Sequence, residues 1–150
     1  MPVSEAPLVV RRDALTVETR GQGFTEITRA ARSWLSNIAA RDGLLTLFIR
    51  HTSASLTIQE NADPDVRHDL LTALRGLAPE DAGYVHTLEG PDDMPAHIKT
   101  MLTDTHVSVP VADGTPLLGT WQGIYVIEHR ARPHRREIAL MFQGSIQQKA

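Results

Sequence analysis

The sequence predicts an α+β fold. Two hydrophobic patterns alternate along it: apolar residues two apart, as in strands, and apolar residues three and four apart, as in helices. These segments lack the regular strand–helix–strand order of a parallel sheet, so we expect mostly antiparallel strands and about three helices. The chain has 150 residues and no linker rich in Pro, Gly or Ser, which is typical of one domain. We therefore assign residues 1–150 to a single domain, with residues 1–12 as a loosely held N-terminal segment.

The first strand and the first helix are predicted from a change of period near residue 20. Residues 14–19 alternate between apolar and polar side chains, which is typical of a strand. From Thr25 onward one helical face collects the apolar residues Ile27, Ala30, Ala31, Trp34, Leu35 and Ile38. We expect Thr25 to be the N-cap of this helix and Asp42-Gly43 to end it.

Two strands and a second helix are predicted in the middle of the chain. Leu44–Ile49 is almost entirely apolar, which is typical of a central strand buried on both faces. Residues 54–59 alternate and predict a strand with one polar face. Asp63 followed by Pro64 is a strong signal for a helix start. The apolar face of this helix is expected to contain Val66, Leu70, Ala73, Leu74 and Leu77.

The second half of the chain is predicted to contain one helix and three strands. A short helix is expected after Asp93, with one shared apolar face made of Met94, Ile98, Met101 and Leu102. The strands are expected at residues 107–111, 124–129 and 138–142. A turn at Asp113-Gly114 follows the first of these strands, and the last two are expected to form a hairpin around the loop 130–136.

The composition excludes several classes of protein. The sequence contains no cysteine, which excludes disulfides, thiolate catalysis and iron–sulfur clusters. Its formal net charge is −3, whereas general nucleic-acid binding needs a basic surface. No apolar run approaches the roughly 18 residues of a transmembrane helix, and the N-terminus does not resemble a secretory signal. We therefore expect a cytoplasmic protein that binds neither nucleic acid nor a membrane.

The most acidic segment is a candidate metal site. With seven histidines and no cysteine, any transition-metal site must use imidazole and oxygen ligands. Residues 80–104 hold six carboxylates and a single lysine, together with His86 and His97. Asp93 and His97 lie one helical turn apart, and His86 is expected to reach them from a preceding strand. The alternative is that Asp93 only caps the helix and the other charges are solvated.

His51 is the second candidate, because it lies at the end of a predicted buried strand, where a rigid sheet meets solvent. Glu60 and Asn61 close the next strand. If the two strands pair as a hairpin, His51 and Asn61 lie apart, and only another loop or a neighbouring subunit could bring them into one pocket. The alternative is a simple capped hairpin, in which Asn61 or Asp63 caps the following helix.

Two further candidates lie around the last strands. Trp121 and Gln122 stand between two glycines and offer a stacking face and an amide, although a core tryptophan in a tight connection would look the same. Glu128 is predicted to face inward, where a carboxylate needs a partner. Four arginines, the first of them Arg130, lie within residues 130–136 and either hold a phosphate or an acidic neighbour or remain solvated.

Three long blocks of the sequence resemble the YjbQ family. They are HTSASLTIQENADPDV from His51 to Val66, HTLEGPDDMPAHIK from His86 to Lys99 and LGTWQGIYVIEHR from Leu118 to Arg130. Their order and spacing agree with the family, and the resemblance covers roughly residues 19–144. It implies a compact α+β fold with a β-sandwich-like core, assembled as a homotrimer.

The resemblance also implies a function. Members of the family often carry the label of a weak secondary thiamine-phosphate synthase, which joins a pyrimidine diphosphate to a thiazole phosphate and releases pyrophosphate. The implied ligand is therefore a phosphorylated small molecule, with zinc, magnesium or manganese as candidate metals and no organic cofactor. The matched blocks imply catalytic residues His51, Glu60, Asn61, His97 and Glu128, substrate-binding residues Ser53, Trp121, Gln122 and Arg130, and metal ligands His86, Asp93 and His97. His129 is not carried over, because other branches of the family can have a different residue there.

Two other functions would use the same residues. One is a non-catalytic trimeric protein that binds a metal or a metabolite, and the other is a purely structural or interaction module. A trimer would also resolve the separation of His51 from Asn61, since one subunit's His51 could then approach another subunit's residues.

Overall fold

The computed structural model describes residues 5–148, which contain eight β-strands and three α-helices. The strands are β1 (Val9–Glu18), β2 (Gly23–Glu26), β3 (Ala40–Ile49), β4 (Ala54–Glu60), β5 (His106–Ala112), β6 (Thr115–Pro116), β7 (Gln122–Glu128) and β8 (Arg135–Ile146). The helices are α1 (Thr28–Asn37), α2 (Pro64–Leu77) and α3 (Asp93–Leu102). The predicted α+β class, with three helices and antiparallel strands, is confirmed.

The strands form two antiparallel sheets. Five strands have the order β1-β8-β3-β5-β6, and three have the order β2-β7-β4. One buried apolar cluster joins Leu45 and Phe142 of the larger sheet, Leu56 and Ile124 of the smaller sheet, and Leu35 of α1. The core therefore lies between the two sheets and α1, with the layered arrangement of a sandwich.

The expected hairpin of β7 and β8 does not form, nor does the hairpin considered for β3 and β4, because each connection crosses from one sheet to the other. β3 lies in the larger sheet and β4 in the smaller one, and the same holds for β8 and β7. β3 already pairs with β8 and β5, while β7 pairs with β2 and β4, so neither strand has a free edge for its chain neighbour. The connections 51–53 and 129–134 consequently meet at the same end of the sandwich, where His129 donates its backbone N–H to the Ser53 carbonyl.

Both predicted ends of the first helix were wrong. Thr25 lies in β2 and pairs with Val126, so sheet pairing overrides the helical pattern there, and α1 begins at Thr28. The helix ends before Ala39, whose φ of 56° reverses the chain. Asp42-Gly43 belongs to β3, which is bulged between Ala40 and Gly43. A Cβ at Gly43 would collide with the backbone oxygen of Gln143, so this close strand contact requires glycine.

The central strand β3 is buried on one face only, which corrects the prediction of burial on both. Leu45, Leu47 and Ile49 lie in the core, whereas Leu44 and Phe48 are exposed. The larger sheet therefore presents apolar side chains on its outer face.

Helices α2 and α3 begin as predicted but bury little of their apolar surface. Asp63 caps α2 by accepting the Asp65 N–H at 2.9 Å, yet no residue of α2 is buried. The face predicted for α3 was wrong, since Met101 and Leu102 are exposed, and the buried residues are Asp93, Pro95, Ala96 and Lys99. Polar contacts of Asp93 and His97 fix the orientation of α3 in place of its apolar pattern.

The N-terminal segment is partly held by the larger sheet. Val9–Arg12 pairs with β8 as the start of β1, whereas residues 1–4 lie outside the described residues. Within residues 5–148, no helix combines the length and the apolar character that spanning a bilayer requires.

Candidate functional site

His86, Asp93 and His97, here called the His–Asp–His cluster, converge beside the first turn of α3. The Nε2 atoms of His86 and His97 lie 2.7 Å and 3.1 Å from the same carboxylate oxygen, Oδ2 of Asp93. The spacing of four residues places Asp93 and His97 on one side of the helix, as predicted. His86 comes from the loop before α3, which corrects the prediction that a strand carries it.

A backbone carbonyl orients His97 within the cluster. The Nδ1–H of His97 donates to the Thr52 carbonyl at 2.9 Å. A neutral imidazole has one ring proton, so Nε2 of His97 then presents a lone pair to the carboxylate of Asp93. Two acceptors facing each other at 3.1 Å repel, unless an added proton or a metal cation lies between them.

Asp93 is a buried carboxylate that remains ionised. Burial by itself would raise its pKa, but the hydrogen bond from His86 and the charge of Arg130, joined by that of His97 whenever its ring is protonated, hold the pKa of Asp93 below its ordinary value. Its second oxygen, Oδ1, lies 3.0 Å from Nη1 of Arg130. The cluster therefore contains a fixed negative charge at neutral pH.

Arg130 positions the acidic segment. Its Nε donates to Asp92 Oδ2 at 2.9 Å, its Nη2 donates to the Glu89 carbonyl at 2.8 Å, and its Nη1 pairs with Asp93. All three nitrogen atoms are thus bonded within the segment that carries the cluster. These contacts position Asp93, while the predicted substrate-binding role of Arg130 stays a prediction.

The donor set of the His–Asp–His cluster fits a divalent transition metal. Its three ligand atoms lie within 4.8 Å of one another. A tetrahedral zinc ion, with bonds of about 2.0–2.1 Å, would hold its ligand atoms roughly 3.3 Å apart, so small side-chain shifts suffice. Two imidazoles and one carboxylate would leave a fourth position open to water or a substrate, and this donor set favours zinc over magnesium.

A second ionic cluster is fully buried beside the first. Glu128 and Arg136 are 1% and 4% exposed, and Nε and Nη2 of Arg136 both donate to the Glu128 carboxylate. Glu128 also accepts from the Thr19 hydroxyl at 2.6 Å, and Arg136 donates to Ser53 Oγ at 3.0 Å. Burial would raise the pKa of Glu128, but the bonds from Arg136 and Thr19 lower it overall. The predicted need of Glu128 for a partner is met by Arg136, and its predicted catalytic role stays untested.

Four of the predicted site residues lie at the other end of the smaller sheet. Glu60 is paired with Gln122 at one end of β4 and β7, whereas Ala54 is paired with Glu128 at the other. Six strand steps separate these ends, which corresponds to about 20 Å. Within one chain, the structure therefore does not bring Glu60, Asn61, Trp121 and Gln122 to the His–Asp–His cluster.

Asn61 and Gln122 line a separate surface cleft of about 730 Å³, whereas Glu60 and Trp121 are not among its lining residues. Gln122 accepts the Gly119 N–H through Oε1, and Asn61 donates to Glu26 Oε2 at 3.3 Å. Trp121 is 62% exposed, so it does not fill the core. The cleft also contains Arg29 and Arg32 of α1, which belong to none of the sequence motifs.

His129 is a core residue. It is 1% exposed, and its Nε2 lies 2.8 Å from Ser55 Oγ. Burial, reinforced by the nearby charge of Lys99, lowers the pKa of His129 to about 3. The ring is therefore neutral near pH 7 and takes no direct part in the His–Asp–His cluster.

Known proteins match almost the whole length of this chain. Residues 13–145 match the family described as UPF0047 protein YjbQ-like. A UPF0047 protein of Synechocystis sp. is 43% identical over 144 residues, covering 95% of this chain and 98% of the relative. The UPF0047 protein YjbQ of Escherichia coli is 41% identical over 131 residues, covering 87% and 95%.

Solved structures show the same fold. A YjbQ/UPF0047 family protein from Clostridium acetobutylicum has a TM-score of 0.81 and 34% identity, and the match covers 87% of this chain and 98% of that one. A YbjQ-like protein from Sulfolobus solfataricus has a TM-score of 0.85 over 93% of this chain and 100% of that one. At 21% identity, the second match supports the fold alone.

Proposed function

The chain belongs to the YjbQ-like UPF0047 family, and we propose that it is a divalent-metal enzyme acting on a phosphorylated small molecule at the His–Asp–His cluster. One observation carries the proposal. Two imidazole nitrogens and a carboxylate oxygen converge, and the ring proton of His97 is already used by the Thr52 carbonyl. With His97 neutral, a cation at this point would replace the repulsive contact between its Nε2 and the Asp93 carboxylate with three coordinate bonds.

The residues of the chain have distinct tasks in this proposal. When bound, zinc or a similar ion supplies a Lewis acid that offsets the charge of a phosphorylated substrate. His86, Asp93 and His97 hold the ion, while Thr52 and Arg130 fix the orientation of His97 and Asp93. The ligands would thus be positioned before the substrate arrives, which lowers the cost of ordering them.

A cleft of about 540 Å³ supports the proposal that the substrate is phosphorylated. It lies against the acidic segment, and its lining includes the acidic Glu89 and Asp92 together with Arg130, Arg132 and His134. Arg132 is exposed, and guanidinium groups suit phosphate oxygens. We propose the reaction class that the family resemblance implies, the condensation of a pyrimidine diphosphate with a thiazole phosphate and the release of pyrophosphate.

We further propose that the chain assembles as a homotrimer. Two apolar surfaces support an interface between copies. Leu44 is exposed on the outer face of β3, and Val85 and Leu88, 99% and 95% exposed, flank His86. Sedimentation at micromolar concentration would show a trimer, and a monomer would refute this assembly.

Metal binding and turnover test the proposed function separately. Calorimetric titration of metal-free protein with zinc is expected to show one site per chain, abolished in His97→Ala. His68→Ala is a matched control, because His68 and Asp69 form an exposed pair on α2 with atoms 3.4 Å apart. Zinc-loaded protein is then expected to form thiamine phosphate faster than His97→Ala does. Equal rates would remove the enzymatic assignment, even if zinc binds.

A second function, non-catalytic metal binding, is favoured by one observation. The polar groups that touch the cluster, Thr52 and Arg130, are both engaged in holding its ligands. A general acid or base would then have to come from another part of the chain or from a second subunit. Stoichiometric zinc binding without turnover would support this function.

A further inference from the structure

The segment His51–Ser53 separates the His–Asp–His cluster from another cleft, here called the Arg136 cleft. The Thr52 carbonyl accepts from His97 on α3, while His51 and Ser53 line the cleft. The Arg136 cleft has a volume of about 550 Å³, and its lining residues are Phe48, Ile49, Arg50, His51, Thr52, Ser53, Thr105 and Arg136. None of these lining residues is acidic, although the cleft adjoins a region of many carboxylates.

Arg136 has an unused donor in this cleft. Its side chain is 4% exposed, with Nε bonded to Glu128 and Nη2 bonded to Glu128 and Ser53. Within residues 5–148, Nη1 has no hydrogen-bond acceptor, and no fully enclosed side-chain nitrogen or oxygen lacks a partner. Nη1 is therefore not fully enclosed, and the cleft that Arg136 lines is where its two N–H groups can meet a ligand.

His51 adds a second donor of fixed orientation. Its Nε2 accepts the backbone N–H of Glu137 at 2.8 Å, so the single proton of the neutral ring lies on Nδ1. Burial and then the charge of Arg136 lower the pKa of His51 below its ordinary value, which keeps the ring neutral near pH 7. Nδ1–H has no acceptor among the described residues and is available to a ligand.

The remaining lining groups complete a site rich in donors. Ser53 Oγ accepts from Arg136, so its own hydroxyl proton stays available, and the Thr105 hydroxyl lies on the same cleft. Phe48 and Ile49 form an apolar wall beside these donors. The carboxylates nearby, Glu128 and Glu137, are paired with Arg136 and Arg50. Several donors and no lining carboxylate form a site that suits an oxyanion.

We propose that the Arg136 cleft binds an oxyanion, a phosphate or carboxylate group of a small molecule, through Arg136 Nη1 and His51 Nδ1–H. The apolar part of that molecule lies against Phe48. The further conclusion that this group belongs to the substrate of the His–Asp–His cluster rests on the proposed function, whereas oxyanion binding itself does not.

Titration with inorganic phosphate tests the site directly. Metal-free protein in a chelator is titrated at constant ionic strength with chloride as the compensating anion, and ¹H–¹⁵N spectra are recorded. Saturable shifts are expected at His51, Ser53 and Arg136. His51→Phe is expected to raise the dissociation constant on the order of tenfold, the usual effect of losing a hydrogen bond to a charged group. His68→Phe, the exposed control, should leave it unchanged.

Acetate and benzoate form the second arm of the test, because they separate a carboxylate from a phosphate as the source. Saturable shifts with phosphate alone would indicate that the natural ligand carries a phosphate group. Saturable shifts with benzoate would indicate a ligand that joins a carboxylate to an apolar group. Arg136→Lys keeps the charge facing Glu128 but removes Nη1, so it should weaken binding as His51→Phe does. If Arg136→Lys does not fold, His51→Phe is compared with Arg135→Gln, an exposed arginine outside the cleft that should leave binding within about twofold.

The outcomes separate this proposal from the proposed function. Phosphate or carboxylate saturation without any zinc binding would support the Arg136 cleft and contradict the metal enzyme. Zinc binding without saturable shifts for any of the three anions would overturn the Arg136 cleft alone. Equal weakening in His51→Phe and His68→Phe would also overturn it, since the anions would then bind elsewhere.

Discussion

The two ionic clusters of this chain lie close together, yet they differ in their balance of donors and acceptors. In the buried cluster, the Glu128 carboxylate receives donors from Arg136, Thr19 and the Arg130 backbone. In the His–Asp–His cluster, Asp93 is paired with Arg130 and accepts from His86, but Nε2 of neutral His97 also faces it with a lone pair, because the ring proton of His97 points to Thr52. A balanced cluster stabilises a fold, whereas an excess of lone pairs indicates a place for a cation.

The largest expected effect is on stability and belongs to the buried cluster. Arg136→Met leaves Glu128 buried without its ionic partner and should reduce the free energy of unfolding by about 3–5 kcal/mol. The neighbouring Arg135 is exposed, so Arg135→Met should change it by less than about 0.5 kcal/mol. Urea unfolding at neutral pH measures the free energy of unfolding of both variants. Similar losses in the two would show that the buried pair of Glu128 and Arg136 adds no more stability than an exposed arginine does.

The pH dependence of stability should come partly from His129. Its folded pKa of about 3 lies below the ordinary 6.5, so the unfolded chain takes up this proton first. The contribution of neutral His129 to the free energy of unfolding is fully present above pH 6.5 and is lost as the pH falls toward 3. Between pH 7.5 and pH 5, His129 should account for about 2 kcal/mol of the loss. Urea unfolding of His129→Gln should show a correspondingly shallower loss, and an unchanged slope would contradict the assignment.

The His–Asp–His cluster should respond to substitution in metal affinity more than in stability. Asp93→Asn removes the charged ligand and should weaken zinc binding by more than about a hundredfold, exceeding the usual loss from an outer residue. Metal-free Asp93→Asn should lose less stability than Arg136→Met, because Arg130 keeps its bonds to Asp92 and to the Glu89 carbonyl. Competition with a zinc indicator measures the affinity, and Asp69→Asn is the control from the exposed pair on α2.

The smallest expected effect concerns Arg130, which holds Asp93 without touching the proposed ion. Arg130→Gln should weaken zinc binding by about tenfold to a hundredfold, as is usual for residues that orient a ligand. Arg132→Gln should leave the affinity unchanged, because Arg132 is exposed and lies two residues further along the chain. The same zinc competition measures both variants, and equal affinities in the two would exclude a positioning role for Arg130.

Local spacing predicted the features of this chain that depend on near neighbours. Asp63 capping α2 and the helical turn joining Asp93 to His97 follow from residues at most four apart. The partner of Glu128 was missed because Arg136 reaches it only after the chain crosses between sheets. The signal was present as an inward-facing carboxylate followed by four arginines, but the expected hairpin obscured which of them turns inward.

The central claim is that His86, Asp93 and His97 form a metal centre. Calorimetric titration of metal-free protein with zinc tests it most directly, with Asp93→Asn and Asp69→Asn measured in parallel. We predict one zinc ion per chain for the parent and for Asp69→Asn, and a loss of this binding in Asp93→Asn. An absence of stoichiometric binding in the parent, or equal binding in all three proteins, would contradict the claim.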